Sequence, residues 1–200
     1  MAQEDDELVG YHGTLKPGFT EFNTDPAKNK SHQQLMLGAH FSETPELAEE
    51  YAIGTPAATK HPKPGGGVYK MRLQLKNPLD LTSPTPIYPG DPRWEMYQSI
   101  LPLISARTMS KLRLKMWEGE GSTQDGFPQD GPFIVTRALE NALEALPPEK
   151  ARAIVEQHGY DGIIYHAMYG GSPDRAKPYK SYVVFNKEQL SPGFGAKRLI

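Results

Sequence analysis

The 200-residue chain has no cysteine. That removes disulfides, thiolate nucleophiles and cysteine-based metal sites together. It also lacks an excess of either charge. Twenty-two Lys and Arg against 24 Asp and Glu leave a net charge of −2, so bulk attraction to nucleic acid or to an anionic lipid surface is not expected. No apolar run approaches the roughly 20 residues of a membrane span. The chain opens with Glu4, Asp5, Asp6 and Glu7, the opposite of the basic start of a signal peptide. The expected location is cytoplasmic, in the producing cell or in a host cell into which a dedicated machine delivers the chain.

Familiar chemical signatures are missing too. There is no Walker-type phosphate loop and no dinucleotide fingerprint, and no Gly-x-Ser-x-Gly elbow. Gly65-Gly66-Gly67 has no helix after it and reads as loop. The six histidines show no His-Glu-x-x-His spacing, and His158 and His166 straddle a turn, so no metal is expected.

What is present fits a soluble globular protein read as a single domain over residues 1–200, with 38% hydrophobic and 23% charged residues. Gly and Pro number 19 each, well above the roughly 12% combined share of average proteins, which implies many ordered loops between short elements. Leu8 to His12 reads as a strand ended by Gly13. Residues 16–34 read as loop, and Leu35 to Phe41 as a second strand broken at Gly38. Thr44-Pro45-Glu46 signals a helix start, with Thr44 as cap, and the helix carries Leu47, Ala48, Tyr51 and Ala52 on one face. Tyr69, Met71, Leu73 and Leu75 alternate with Lys70, Arg72, Gln74 and Lys76, a half-buried strand.

The middle is helical. Asp91-Pro92 opens one helix, residues 106–117 suggest another, and 118–131 read as loop. Phe133 to Leu146 is strongly amphipathic, and a helix from Pro148 ends at Gly159. Arg107, Lys111, Arg113 and Lys115 form either a solvated face or a phosphate or partner patch. The chain then returns to strands at Gly162–Tyr165 and Tyr182–Phe185, with Asp161 as a turn residue. Strands at both ends, helices between them and no βαβ alternation predict an α+β fold.

Four spaced segments carry the functional signal. Tyr11-His12-Gly13-Thr14 follows a strand. Gly38-Ala39-His40-Phe41-Ser42 precedes a helix bearing Tyr51, eleven residues after His40. Gly159-Tyr160-Asp161-Gly162-Ile163-Ile164-Tyr165 and Ser181-Tyr182-Val183-Val184-Phe185-Asn186 close the chain. In this order they resemble the ADP-ribosyltransferase superfamily, in the branch that includes the poly(ADP-ribose) polymerases. They are closer still to the ADP-ribosyltransferase-like domains of phage and mobile-element polyvalent proteins. The resemblance implies a split β-sheet core with a helical insertion near residues 91–158. It also implies NAD as substrate and an acceptor of unknown identity. In that reading His12 bonds a ribose hydroxyl and the Gly13 backbone approaches the nicotinamide carboxamide. Thr14 touches ribose or phosphate, Tyr51 stacks on the nicotinamide ring, and His40 forms a second wall. His12, His40 and Tyr51 would be the catalytic set, with Gly13, Thr14 and Ser181 completing the NAD site.

Two positions depart from the resemblance. Ser181 stands where the polymerase branch has a glutamate, which argues against polymer formation. Ala48 stands where a hydroxyl often reaches the nicotinamide amide. Asp174, Glu118, Glu120 and Glu188 are the substitute acids to consider. The leading function is mono-ADP-ribosyl transfer from NAD, in the setting of a toxin, an anti-defence factor or another effector. The alternative is a silent module of the same fold that binds NAD or ADP-ribose, or a phage structural or interaction protein. An RNA 2′-phosphotransferase would need several arginines near His12, where only Lys16 stands.

Overall fold

A computed structural model describes residues 8–28, 35–53, 65–83, 85–108, 134, 136–167, 179–192 and 197–198. The strands are β1 (Val9–Thr14), β2 (Ala39–Ser42), β3 (Gly67–Leu73), β4 (Leu79–Asp80), β5 (Gly162–Ala167), β6 (Tyr179–Val184), β7 (Leu190–Pro192) and β8 (Lys197–Arg198). The helices are α1 (Pro45–Ile53), α2 (Pro92–Ile100), α3 (Thr136–Glu144) and α4 (Pro148–Gln157). The α+β class is as expected, and α2, α3 and α4 fall in the central segment between strands.

One mixed sheet runs in the order β4-β5-β6-β2-β1-β3-β7, with β8 also pairing β3. All pairs are antiparallel except β4 with β5. The pairing is uneven. β1 and β3 are in register over six pairs, Val9↔Arg72 to Thr14↔Gly67. β2 and β6 share four, Ala39↔Val184 to Ser42↔Ser181. Between β1 and β2 the register holds only at Tyr11↔Ser42. The sheet is therefore two well-paired halves joined at one point, and the opening between them is where a ligand can enter.

Three apolar clusters hold the sheet, and one of them joins the two halves. On one face of β5 and β6, Ile163, Val183 and Phe185 pack with Leu79 against Met96, Ile100, Leu139, Leu143 and Val155 of the helices. On the opposite face, Ala39, Phe41, Leu73, Tyr182 and Val184 gather with Phe22 from the loop after β1. α1 lies over β1 and β3 through Ala48, Ala52 and Val68. Period-2 burial on the strands thus serves two layers, which is why both faces of β6 are apolar.

Several local expectations change. Gly13 does not end β1 but sits inside it, opposite Val68. A Cβ there would lie 1.7 Å from the Ala48 carbonyl oxygen, so glycine is the residue that lets α1 rest on the strand. β2 starts only at Ala39. Leu35 takes the left-handed conformation at φ 49, which no strand accommodates, and a Cβ on Gly38 would lie 2.2 Å from the Val184 carbonyl oxygen. Thr44 does not cap α1, since its buried hydroxyl has no partner. The turn is closed instead by Ser42 Oγ, whose single hydrogen is shared between the carbonyls of Thr44 (2.8 Å) and Tyr11 (3.1 Å).

The Asp91 cap is as expected. Its carboxylate accepts from the Arg93 N–H at 2.8 Å, with Pro92 in the first helical position. Gly159 closes the turn after α4 at φ 85. The helix expected from Phe133 to Leu146 is observed as α3, and β3 stops at Leu73. β7 and β8 had no counterpart in the sequence reading. From residue 109 the expected helix over 106–117, and all of the loop over 118–131, lie outside the described residues, as do Lys111, Arg113 and Lys115. Arg107 is exposed.

Candidate functional site

The opening between β1 and β2 is a narrow cleft with a cavity volume of about 20 Å³. His12, Gly13, His40, Tyr51 and Ser181 line it together. Thr14 is not among the lining residues. Its Oγ1 accepts from the Lys16 N–H at 3.2 Å, closing the turn after β1.

His12 sits where the pairing of β1 with β2 stops. Its Nδ1 lies 2.7 Å from the carbonyl oxygen of His40. A carbonyl only accepts, so Nδ1 carries the proton and Nε2 of the neutral ring is an acceptor. A side chain here replaces the backbone bonds that would otherwise close the sheet. The ring is held edge-on by Phe19 and Phe22, at 6.1 and 5.1 Å between centroids, and tilted against Phe41 at 5.7 Å. Burial among these rings lowers its pKa, partly opposed by the bond to His40, so His12 is neutral at neutral pH.

His40 forms the facing wall. Its Nδ1 is 3.2 Å from the hydroxyl of Tyr165, and the two rings meet edge to face at 6.1 Å. Burial first, and then repulsion from a charged His12, push its pKa down to about 4. The Leu35 backbone opposes the shift, yet His40 Nε2 is out of contact with solvent and has no partner meeting hydrogen-bond geometry. Tyr51, from α1, completes the opening.

Sequence reasoning missed Tyr11, Phe41, Ser42 and Tyr165 as lining residues. Tyr165 is the consequential one. It faces Ser181 across β5 and β6 in direct register. Burial drives its phenol pKa upward, helped by nearby Tyr51 and countered by a hydrogen bond from Ser181. A signal existed: Tyr165 falls between Ile163 and Ala167 at period two, a polar tip on the otherwise apolar buried face of β5. Asp161 is the turn residue expected, its carboxylate accepting from the Lys76 and Asn77 N–H groups at 2.7 and 3.0 Å.

No Asp or Glu is among the described residues lining the cleft. Of the substitute acids, Glu188 borders a separate depression beside Thr20, Glu21 and Lys187, and Glu118, Glu120 and Asp174 lie outside the described residues. An acid that the sequence reading passed over is Glu140 on α3. It is 5% exposed and paired with Arg137 at 2.7 Å. Burial raises its pKa, against the pull of Arg137. Ala48 is buried against Gly13. Among the described residues no three His, Asp or Glu side chains cluster as metal ligands would, and no helix is long and apolar enough to cross a membrane.

The arrangement is a narrow, aromatic, uncharged cleft with one imidazole acceptor and a few hydroxyls. Its walls present aromatic faces, which attract a cation, together with hydrogen-bonding atoms. Comparisons with curated proteins and with solved structures return no match. A comparison with protein families does match: the family described as ADP-Ribosyltransferase in polyvalent proteins aligns with residues 4–191. That span runs from before β1 to the last strand of the ordered path, β7, and includes every residue of the cleft. By this match over nearly its whole length, the chain belongs to the ADP-ribosyltransferase domain family of polyvalent proteins.

Proposed function

We propose that the cleft binds NAD and transfers one ADP-ribosyl group to a protein, nucleic-acid or small-molecule acceptor, releasing nicotinamide. The observation that carries this reading is the single-point junction of β1 and β2. There His12, His40 and Tyr51 wall one opening within a chain of the ADP-ribosyltransferase family. Tyr51 offers an aromatic face to the cationic pyridine ring. The acceptor nitrogen His12 Nε2 can take a hydrogen bond from a ribose hydroxyl.

When the bond between ribose C1′ and the pyridine nitrogen breaks, its electron pair stays on nitrogen and nicotinamide leaves neutral. Positive charge develops on the ribose, as in glycoside cleavage. Two imidazolium groups would oppose that charge; two histidines kept neutral by burial do not. The acceptor then bonds to C1′ and gives up a proton. Ser181 in place of a glutamate supports single transfer over chain growth. We further propose a phage or mobile-element setting, with action as an effector or toxin in the cytoplasm of a host.

Nicotinamide release from NAD tests the reading, using two substitutions chosen by atom. In His12→Asn the side-chain amide keeps a donor near the Nδ1 position, facing His40, and removes Nε2. In His12→Gln the amide reaches toward the Nε2 position. Release lost in Asn and partly kept in Gln is expected. Equal release from wild type and both variants would remove His12 from the chemistry.

The lack of a carboxylate among the described lining residues favours a second reading, a silent module that binds NAD or ADP-ribose. Calorimetric binding of NAD with no nicotinamide release under any acceptor would support it.

A further inference from the structure

We propose that Tyr165 is a positioning residue of the cleft, whose hydroxyl donates to His40 Nδ1 and so holds His40 as a fixed ring protonated on Nε2. Three observations carry it. Tyr165 Oη is 3.2 Å from His40 Nδ1, across 125 residues of chain. The rings stand at 87° with centroids 6.1 Å apart, so the contact is an edge meeting a face and not a stack. Ser181, the register partner of Tyr165, also lines the cleft.

The direction of the hydrogen bond follows from the hydrogens available. A hydroxyl has one hydrogen to give. A phenol is a stronger donor than a neutral imidazole N–H, and a bare imidazole nitrogen is a stronger acceptor than a phenol oxygen, so the Tyr165 hydrogen goes to His40 Nδ1, which accepts it with its lone pair. The remaining proton of the neutral imidazole belongs on Nε2. His12 is set the other way round, with the proton on Nδ1, because its partner is the His40 carbonyl. The two imidazoles therefore carry opposite tautomers, and the His40 peptide unit and ring link them. Ser181, at the position where the polymerase branch carries its glutamate, is the register partner of Tyr165.

For the proposed NAD reaction, on which the functional half of this inference rests, Tyr165 would act through His40 and not on substrate. A ring held at one angle by a buried hydroxyl presents a constant neutral wall opposite Tyr51. A ring without that bond can rotate about χ2, and the wall is lost for part of the time.

Long-range proton–nitrogen correlation spectra of histidine-labelled protein at pH 7 read each tautomer directly. In wild type, His40 is expected with Nδ1 bare and Nε2 protonated, and His12 with the reverse. In Tyr165→Phe, which keeps the ring and removes the oxygen, the two His40 nitrogens should move toward averaged values while His12 stays unchanged. His12 is thus an internal control for an intact fold. A protonated Nδ1 on wild-type His40 overturns the proposal without any variant. So do unchanged His40 resonances in Tyr165→Phe. Binding of NAD should weaken about fivefold in the variant, the size of one ordinary hydrogen bond. Should wild type neither bind nor cleave NAD, the functional reading fails while the tautomer result stands by itself.

Discussion

Acidification should unfold this protein through His40 in a way that one substitution removes. An unfolded histidine titrates near 6.5, whereas His40 in the fold is pushed down to about 4. Above pH 6.5 both states leave the ring neutral and nothing changes. As pH falls from 6.5 toward 4, the unfolded chain takes up a proton that the folded one refuses, so stability drops across that window. Below about 4 both states are protonated and the loss from this group ends. At about 1.4 kcal/mol per pH unit, the full window is worth about 3 kcal/mol and the part between pH 7 and 4.5 about 2.5 kcal/mol. That is a large share of the 5–15 kcal/mol typical of a domain.

Urea unfolding followed by far-UV circular dichroism, at half-unit steps from pH 7 to 4.5, measures the slope. Other groups contribute too. His12 is displaced in the same direction, and carboxylates add their own terms at the acid end. The informative quantity is therefore the difference between wild type and His40→Gln, whose amide cannot titrate. The variant should lose about 2.5 kcal/mol less than wild type over this range. Equal losses in the two proteins would mean that His40 is not held neutral by its surroundings, and the uncharged character assigned to the cleft would fall with it.

Further expectations concern binding and packing. NAD affinity should hold from pH 7.5 to 6.5 and decline toward pH 4, because a protonated His40 or His12 would repel the pyridinium; calorimetry across that range checks it, and affinity rising with acid would contradict it. Gly13→Ala places a Cβ 1.7 Å from a backbone oxygen of α1, where no side chain can rotate away. A loss of at least about 2 kcal/mol is expected in thermal or urea unfolding. Arg152 on α4 donates to the Thr24 carbonyl at 2.7 Å and to Asn186 at 3.2 Å, pairs with Glu156 at 3.0 Å, and lies 5.1 Å above the Phe185 ring. Lysine cannot hold this fork, so Arg152→Lys should cost about 1–2 kcal/mol and speed hydrogen exchange near Phe22. Asp161→Ala frees the Lys76 and Asn77 N–H groups and should lower stability by about 2 kcal/mol.

The sequence by itself determined much of the local structure. The Asp91-Pro92 start of α2, the Gly159 stop after α4 and the alternation in β3 depend on neighbours a few residues away, and so are legible in a short window. The order of the motifs around His12, His40 and Tyr51 pointed to one cleft before any strand was placed. Gly13 shows where that reading ended. The local pattern reads it as a strand stop; it sits inside β1 and leaves space for the Ala48 carbonyl, 35 residues away along the chain.

Only the tertiary structure decided that β1 and β2 meet at one register pair, that an imidazole and not a peptide bridges the gap, and that Tyr165 belongs to the site. Those contacts join residues 28 and 125 positions apart. Hydrophobic periodicity records which face of a strand is buried, but carries no information about which distant strand lies beside it. Tautomer, pKa and cleft shape are set by that neighbour, so they come into existence only when the sheet is assembled.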